Sequence, residues 1–222
     1  MFAFTHQLTR SLASCSLTAG LLLLAPAGQA ELLLNPGFED GGASPAGWAT
    51  NDGGGSPTFV YNTVGSSGAT TEDVHSGENS VEILDGGPNN ARWFTNNDSL
   101  FTLEAGKTYE ISVWMLREGL GGDDFARISM SGLDAVDGAS INVSGNTDGF
   151  EKVSFNFTPT QTYSDRRLLL AYNNRGTETT GGRVVFDDAS VALAAVPEPG
   201  SMALLGLGAT FILRKRPCVN EK

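Results

Sequence analysis

Apolar side chains that recur at every second position are the feature that most constrains the fold of this chain. Between Lys107 and Met115, large apolar residues alternate strictly with Thr, Glu, Ser and Trp. Successive side chains of a β-strand point to opposite faces of a sheet, so this spacing puts the apolar residues on one face. The apolar set is Tyr109, Ile111, Val113 and Met115. The same alternation in Val153, Phe155 and Phe157 predicts a second half-buried antiparallel strand.

The rest of the body carries further strand patterns and no long helical one. Clusters of Gly, Asn, Asp, Ser and Thr recur between short runs of β-branched and aromatic residues, which is typical of an all-β chain. Further strands are predicted at Thr58–Thr63, Ser80–Leu84, Ala91–Thr95, Phe125–Ser129, Arg167–Asn173 and Arg183–Leu193. Because no helix is available to cover a sheet, two sheets must pack face to face. The sequence therefore predicts an all-β fold, a jelly-roll β-sandwich.

Residues 1–30 have the parts of a secretory signal. A cationic residue, Arg10, precedes the apolar region Leu17–Ala27, and small residues lead to a predicted cleavage site after Ala30. The stretch Leu12–Cys15 has the form of a lipoprotein cleavage box, but there the apolar region follows the cysteine instead of preceding it. The prediction is therefore a signal helix that is removed on export.

Residues 197–222 place an apolar run between two prolines and a basic cluster. Pro197 and Pro199 stop any strand or helix that reaches them. The run 201–213 has no charged residue, and the basic cluster 214–216 follows at once. The run is short for a full span of about 20 residues, so a buried core helix is the alternative. Lys and Arg beside an apolar run mark its cytoplasmic side, which favours a transmembrane or sorting helix.

The composition of the body between these segments excludes several classes of function. Both cysteines of the chain, Cys15 and Cys218, fall in the end segments, so the body has no disulfide, no thiol nucleophile and no cysteine metal ligand. The body contains nine basic and 23 acidic residues, which gives a net charge of −14. Because binding to a phosphate backbone requires neutralising Lys and Arg, nucleic acid is not an expected partner.

The C-terminal segment resembles the PEP-CTERM sorting signal of Gram-negative bacteria, in which a V-P-E-P motif precedes an apolar segment and a basic cluster. The matching residues are Val196, Pro197, Glu198 and Pro199, then the segment 201–213, then Arg214, Lys215 and Arg216. The resemblance implies export and processing by a membrane enzyme of the exosortase type. The protein would be anchored transiently in the inner membrane and would then lie at the cell surface or outside the cell. Residues 217–222 extend the tail beyond the usual basic end.

Four motifs of the body follow one another in the order seen in carbohydrate-binding modules of the family 4 and 9 type. They are Asn35–Glu39 with Gly47–Trp48, His75–Val81, Glu104–Trp114 and Val184–Asp188. Together they resemble these galactose-binding-like jelly rolls over nearly the whole of residues 31–196. The resemblance implies the same sandwich fold and a polysaccharide or glycan partner.

Modules of this type commonly hold a structural calcium ion where the chain ends meet, and the resemblance implies one here. Glu39 matches a usual carboxylate ligand, and Asp187 or Asp188 matches another. Backbone carbonyls near Ser76–Asn79 would complete a shell of oxygens, which this hard cation prefers. Neighbouring residues of a regular strand point to opposite faces, so only one aspartate is expected to face the ion. The alternative is that these acids cap turns and face water.

A saccharide site needs an aromatic ring that stacks on the apolar face of a sugar, with planar polar groups beside it. Trp93 is the best candidate platform because Arg92 and Asn90 lie near it in the sequence, and Tyr172 is a second candidate ring. Further candidates are Tyr61, Arg117 and Asn173. In contrast, Trp48 and Trp114 are expected to pack in the core.

The sequence predicts a non-catalytic protein. The body has one histidine, His75, and it contains no phosphate-binding glycine loop, no histidine pair for a metal and no Glu-x-Asp-x-Glu pattern. Two hypotheses remain: a glycan-binding module displayed at the cell surface or in an exopolysaccharide matrix, and a structural or adhesion protein without a saccharide site. A binder should expose an aromatic ring beside Arg or Asn, whereas a structural domain would bury all three tryptophans.

Overall fold

The computed structural model describes residues 30–65, 69–85, 91–133, 136–174 and 181–194. In these ranges the chain forms twelve strands and two short 3-10 helices, Thr71–Asp73 and Asn97–Ser99. The strands are β1 (Trp48–Asn51), β2 (Thr58–Thr63), β3 (Asn79–Leu84), β4 (Ala91–Thr95), β5 (Phe101–Leu103), β6 (Tyr109–Glu118), β7 (Phe125–Met130), β8 (Ser140–Ser144), β9 (Glu151–Phe157), β10 (Tyr163–Arg166), β11 (Leu168–Asn173) and β12 (Arg183–Leu193).

Ten of these strands form two five-stranded antiparallel sheets that pack face to face. The first sheet has the order β1-β4-β11-β7-β8, the second has the order β2-β3-β12-β6-β9, and β5 pairs with β10 as a separate ribbon. The predicted all-β sandwich is confirmed. The predicted C-terminal helix, and the predicted signal helix before Ala30, lie outside the described residues. Among the residues that are described, no helix is long and apolar enough to span a membrane.

Strand β6 shows how the alternation of the sequence produces this arrangement. Its four predicted apolar residues point into the sandwich, and each is at most 2 % exposed. On the other side of the strand, Glu110 forms an ion pair of 3.0 Å with Lys152 of β9. The strand runs past its predicted end because its pairing with β12 continues as far as Glu118.

The core lies between the two sheets. Ile83 and Phe186 from the second sheet and Ile128 and Leu170 from the first sheet are fully buried. Burial of one such side chain contributes about 1.5–3 kcal/mol to stability. Trp48 is 4 % exposed and packs in this core, as predicted.

The N-terminal segment lies along β12, so the two ends of the described chain meet on one side of the sandwich. Glu31 and Ala192 form an isolated antiparallel bridge. The backbone N–H of Ala189 donates to the carbonyl of Pro36 at 2.9 Å. Phe38 is fully buried and anchors the segment to the core.

Strand β12 contains a β-bulge at the point where it passes the N-terminal segment. Its pairing with β6 changes register between Asp187 and Ser190. Asp188 has a φ of 45°, which is uncommon for a residue with a side chain. A bulge of this kind re-aims the side chains of its strand.

Candidate functional site

The two predicted stacking rings, Trp93 and Tyr172, lie in the core. Trp93 is 4 % exposed, and its indole N–H donates to the carbonyl of Glu82 in the second sheet at 3.1 Å. Tyr172 is fully buried with its hydroxyl 3.3 Å from Asp124 Oδ2, and burial raises the pKa of this phenol. Both residues point inward from their strands, so neither ring face can be reached by a saccharide. The prediction that they form a binding platform is corrected here.

The neighbours of Trp93 on β4 point the opposite way, out of the first sheet. Arg92 and Phe94 are both partly exposed, whereas the other three residues of the strand are buried. Within the described ranges Arg92 makes no hydrogen bond and no ion pair. Of the three predicted ligand-binding residues, Arg92 is therefore the one that lies on an accessible surface.

Strand register places more polar and aromatic side chains on the same side of the sheet as Arg92. Ala171 of β11 lies opposite Arg92, and Arg127 of β7 lies opposite Ala171. We call this surface the arginine face. Its residues are Asn51, Arg92, Phe94, Phe125, Arg127, Asn142, Arg167, Leu169, Ala171 and Asn173.

The arginine face combines guanidinium groups with aromatic rings over a flat sheet. Across two strand spacings, the Cα atoms of Arg92 and Arg127 are about 10 Å apart. Ala171 lies between them and is 2 % exposed, so neighbouring side chains cover it. The guanidinium of Arg167 lies 5.5 Å from the ring centroid of Phe94. Among the described residues, none on this face is acidic, although the body has a net charge of −14.

The weaker predicted candidates have different positions. Tyr61 donates its hydroxyl hydrogen to the carbonyl of Phe38 at 2.7 Å and therefore holds the N-terminal segment. Arg117 is 4 % exposed and its Nη2 lies 3.0 Å from Glu151 Oε2, so it is a structural residue. Asn173 is on the arginine face and 3 % exposed.

The predicted metal ligands meet at the turn of residues 75–79. Glu39 accepts hydrogen bonds from the backbone N–H groups of Glu78 and Asn79 at 3.1–3.2 Å. The side-chain amide of Asn79 also donates to Glu39, at 2.9 Å. The opening motif of the body is therefore tied to this turn through a carboxylate.

Asp187 and Asp188 both contact the same turn, although neighbouring side chains of a regular strand were expected to point apart. Asp187 is fully buried and accepts from the backbone N–H groups of His75 and Ser76 at 2.8 and 3.0 Å. Asp188 lies 2.7 Å from His75 Nδ1 and accepts from the Ser76 hydroxyl at 3.0 Å. The bulge turns the second carboxylate to the same side. Burial raises the pKa of Asp187 to about 6.

The turn has the oxygen chemistry that calcium prefers, and glycines make room for two of the acids. A Cβ at Gly77 would lie 2.1 Å from Glu39 Oε1, and one at Gly37 would lie 3.3 Å from Asp188 Oδ1. Both carboxylates are at least partly exposed, so they fit a cation better than the enclosed carboxylate of Asp187. Within the described ranges no three His, Cys, Asp or Glu side chains converge to hold a metal ion. The calcium site stays a prediction.

Trp114 lies on the outer face of the second sheet, which corrects the expectation that it packs in the core. It is partly exposed, and the imidazole of His75 stacks on it with a centroid distance of 3.8 Å and an interplanar angle of 14°. The alternation of side chains along β6 gives the reason. The four alternating apolar residues of this strand point into the core, so Trp114 points to the other side.

A cleft of about 450 Å³ lies beside this stacked pair. Its walls include Val74, Leu116 and Phe150, with Glu118 and Arg183 at the polar side. Arg183 forms ion pairs with Asp73 and Glu118, so its charge is already neutralised inside the protein. The cation of this cleft is therefore less available to a ligand than the arginines of the arginine face.

A β-sandwich in which the outer face of one sheet presents arginine, aromatic and amide side chains has the architecture of a saccharide-binding module. A family model described as "Carbohydrate binding domain" matches residues 30–175, and this chain belongs to that family. The PEP-CTERM protein-sorting motif matches residues 195–216. Both resemblances drawn from the sequence are confirmed. The individual sorting residues, 196–199 and 214–216, lie outside the described residues.

Several solved structures match this chain at low sequence identity. An arabinose-bound GH51 α-L-arabinofuranosidase matches with a TM-score of 0.53 at 13% identity, over 73% of this chain and 26% of that chain. The CBM22-1 xylan-binding domain from Paenibacillus barcinonensis Xyn10C has a TM-score of 0.45 at 14% identity, over 78% and 99%. A family 16 carbohydrate-binding module has a TM-score of 0.42 at 16% identity, over 72% and 98%. None of the curated proteins matches this chain.

The sequence reasoning missed three residues of the arginine face, Phe94, Phe125 and Arg127. The signal that could have found them was the alternation within their predicted strands. In β4, the small residues Ala91 and Thr95 share the side of Trp93, so Phe94 had to share the side of Arg92.

Proposed function

We propose that this protein binds a polysaccharide through the arginine face, without catalysis. The observation that carries the proposal is the placement of Arg92, Phe94 and Arg127 on one accessible side of the first sheet. A sugar ring offers an apolar face that packs on an aromatic ring, and its oxygens accept hydrogen bonds from guanidinium donors. The membership of the chain in a carbohydrate-binding family supports the same function.

The chain joins a carbohydrate-binding domain to a sorting motif, which supports an exported, sorted carbohydrate-binding protein. We propose that an exosortase-like enzyme of the inner membrane processes the tail. The sandwich would then act at the cell surface or in an exopolysaccharide matrix.

A structural calcium ion belongs to the proposal. The carboxylates of Glu39 and Asp188 would hold it together with backbone carbonyls of the turn at residues 75–79. Calcium would supply a bond between the N-terminal segment, this turn and β12. If calcium binds the folded state and not the unfolded state, it raises the stability of the protein.

The second candidate function is a structural or adhesion protein without a saccharide site. The burial of Trp48 and Trp93 favours it, although a structural domain is expected to bury all three tryptophans and Trp114 is partly exposed. Against it, Phe94 is partly exposed beside Arg92, which is the pair of groups expected of a binder.

Affinity electrophoresis of the full-length protein in gels that contain single polysaccharides tests the proposal. We expect at least one polysaccharide to retard the protein, and Phe94→Ala to restore its mobility. Trp114→Ala is the control, because it removes a partly exposed ring from the opposite sheet. If no polysaccharide retards the wild type, the structural function is the better conclusion. If a polysaccharide retards the wild type and both variants alike, binding does not use Phe94 of the arginine face.

A further inference from the structure

We infer that the polysaccharide bound at the arginine face is anionic, with uronate carboxylates that pair with Arg92 and Arg167. This inference rests on the proposed function and names the class of ligand. It concerns the same surface and adds a charge requirement to it.

The pairing of basic residues distinguishes this face from most of the protein. Away from it, four of the five described Lys and Arg side chains have carboxylate partners, and the fifth, Arg166, donates to the backbone carbonyls of Ser164 and Ser131. The four pairs are Lys107–Glu104, Arg117–Glu151, Lys152–Glu110 and Arg183–Asp73. In a body with 23 acidic residues and nine basic ones, an arginine can readily find such a partner. Two arginines of the arginine face have no such partner among the residues that the structure describes.

Arg92 and Arg167 are these two arginines. Among the described residues Arg92 has no hydrogen-bond or ion-pair partner. Arg167 donates its Nη2 hydrogen to the side-chain oxygen of Asn97 and lies over the ring of Phe94, and both of these partners are neutral. Two uncompensated cations therefore share one surface of a strongly acidic protein. An anionic ligand would supply the missing charge.

The spacing of the two arginines fits a chain-like ligand. Arg92 lies opposite Ala171 on β11, and Arg167 is four residues from Ala171 along the same chain. Four residues of a strand span about 13 Å. Phe94 lies opposite Leu169, which is midway between Arg167 and Ala171 in the sequence. A saccharide along β11 would pass over the aromatic ring with a cation at each end of the contact.

A carboxylate is the anion that suits these groups. The planar guanidinium presents parallel N–H donors that match the two oxygens of a carboxylate, and such charge-assisted bonds are about twice as strong as neutral ones. A neutral hydroxyl offers one oxygen and no charge. Because Arg92 is partly buried, its desolvation is offset best by an opposite charge.

The experiment compares polygalacturonate with the same polymer after methyl esterification, because the two differ in charge and share a backbone. Isothermal titration of the full-length protein at about 0.1 M salt, where screening limits charge effects to about 10 Å, keeps the acidic remainder of the protein from dominating. We expect polygalacturonate to bind at least about tenfold more tightly than its ester. This preference should shrink at about 1 M salt.

Substitutions assign the preference to the two arginines. Arg92→Gln and Arg167→Gln should each weaken polygalacturonate binding by about tenfold and weaken binding of the ester by a smaller factor, because only neutral hydrogen bonds are lost there. Lys152→Gln is the matched control, since it removes one positive charge from the opposite sheet. Thermal melting curves verify that the variants are folded.

The outcomes separate this inference from the proposed function. If the ester, xylan or cellulose binds as tightly as polygalacturonate, or if the arginine variants behave like Lys152→Gln, the charge requirement is overturned and saccharide binding stands. If no polysaccharide binds, the proposed function is overturned as well. Binding that prefers polygalacturonate and depends on both arginines supports both.

Discussion

Gly77 determines how closely the N-terminal segment approaches the turn of residues 75–79. It has a φ of 67°, and a Cβ at this position would lie 2.1 Å from Glu39 Oε1. The absence of a side chain lets the Glu39 carboxylate reach the N–H groups of Glu78 and Asn79. Any larger residue must displace this carboxylate.

We expect Gly77→Ala to lower the free energy of unfolding by about 2–3 kcal/mol. About 1 kcal/mol of this loss arises because a residue with a side chain is strained in the left-handed backbone conformation of this position. The remainder arises from the hydrogen bonds of Glu39 that are lost when its carboxylate is displaced. Gly65→Ala is the matched control, because its φ is 78° but a Cβ there meets no atom within 4 Å. Urea unfolding measures both variants. Equal losses would mean that the contact with Glu39 contributes nothing.

Asp73 connects the cap of a 3-10 helix to an ion pair on the second sheet. One carboxylate oxygen accepts from the backbone N–H and the hydroxyl of Thr70 at 2.8 and 3.0 Å. The other oxygen lies 2.7 Å from Arg183 Nη1. Burial alone would raise the pKa of Asp73, but the hydrogen bonds from Thr70 and Arg183 outweigh it and hold the pKa below its usual value.

Asp73→Asn should therefore destabilise the protein by about 1–2 kcal/mol at neutral pH. A pKa that is lower in the folded state gives stability that is present above the unfolded pKa and is lost as the pH falls through the folded pKa. The difference between wild type and variant should stay constant from neutral pH down to about pH 5 and shrink below about pH 4. Urea unfolding across this range measures it. A difference that persists unchanged to about pH 3 would contradict the assignment.

The residues of β4 show where sequence reasoning at this scale succeeds and fails. Alternation puts Trp93 and Arg92 on opposite sides of the strand, so the predicted grouping of the two in one site was wrong, and alternation alone does not say which side is inside. The structure puts Trp93 inside because its ring fills the core and its N–H reaches the carbonyl of Glu82. In β6 the choice was clear, since one side of that strand was apolar throughout.

At the scale of elements, β12 holds the candidate calcium site together. It runs from Arg183 to Leu193 between β3 and β6, and the N-terminal segment lies beside it. The sequence predicted the strand because its residues are mostly apolar and β-branched. It could not predict the bulge, because two successive aspartates carry no local signal for a change of register. The bulge therefore had to be found in the structure.

The calcium proposal predicts a response to chelation. If the ion binds the folded state at about 100 times its dissociation constant, it stabilises the protein by about 2.7 kcal/mol. Removal with EGTA should then lower Tm by about 5–10 °C. Differential scanning calorimetry of the full-length protein, with and without EGTA, measures the shift.

Two variants assign the shift to the turn. Glu39→Gln should abolish the response to EGTA, because it removes a charged ligand while it keeps the size of the side chain. Glu72→Gln should retain the response, since Glu72 is exposed and outside the turn. A wild-type Tm that is identical in calcium and in EGTA would leave the hydrogen bonds of Glu39 and Asp188 as the whole of the connection.

At the scale of the whole molecule, the two outer faces of the sandwich differ in charge. The outer side of the second sheet carries Glu82, Glu110 and Asp187, and its cations are paired with acids. The arginine face carries Arg92 and Arg167, which have no acidic partner within the described part of the chain. The sequence predicted the sandwich because every apolar strand face must be buried. It did not predict the difference in charge between the two outer faces, because that difference depends on the register of five strands that lie between residues 48 and 173.

The sorting motif predicts the fate of the whole chain on export. If the apolar run is held in the inner membrane as proposed, Arg214, Lys215 and Arg216 behind it should lie toward the cytoplasm. Under the proposed processing, the enzyme would cut on the opposite side of the run, next to the sequence Val196–Pro199 of the matched motif. We expect mass spectrometry of the exported protein to find a C terminus close to this sequence and no peptide from residues 214–216.

A charge-reversed tail tests whether orientation is the cause. Replacing the three basic residues 214–216 by glutamate removes the signal that holds the run with its end in the cytoplasm, so the protein should accumulate in the membrane fraction with its tail intact. Lys222→Glu changes one basic residue outside the motif match, which ends at residue 216, and should be processed normally. Exported protein that still contains residues 214–216 would contradict processing, because the sandwich would then have left the membrane with its apolar run attached.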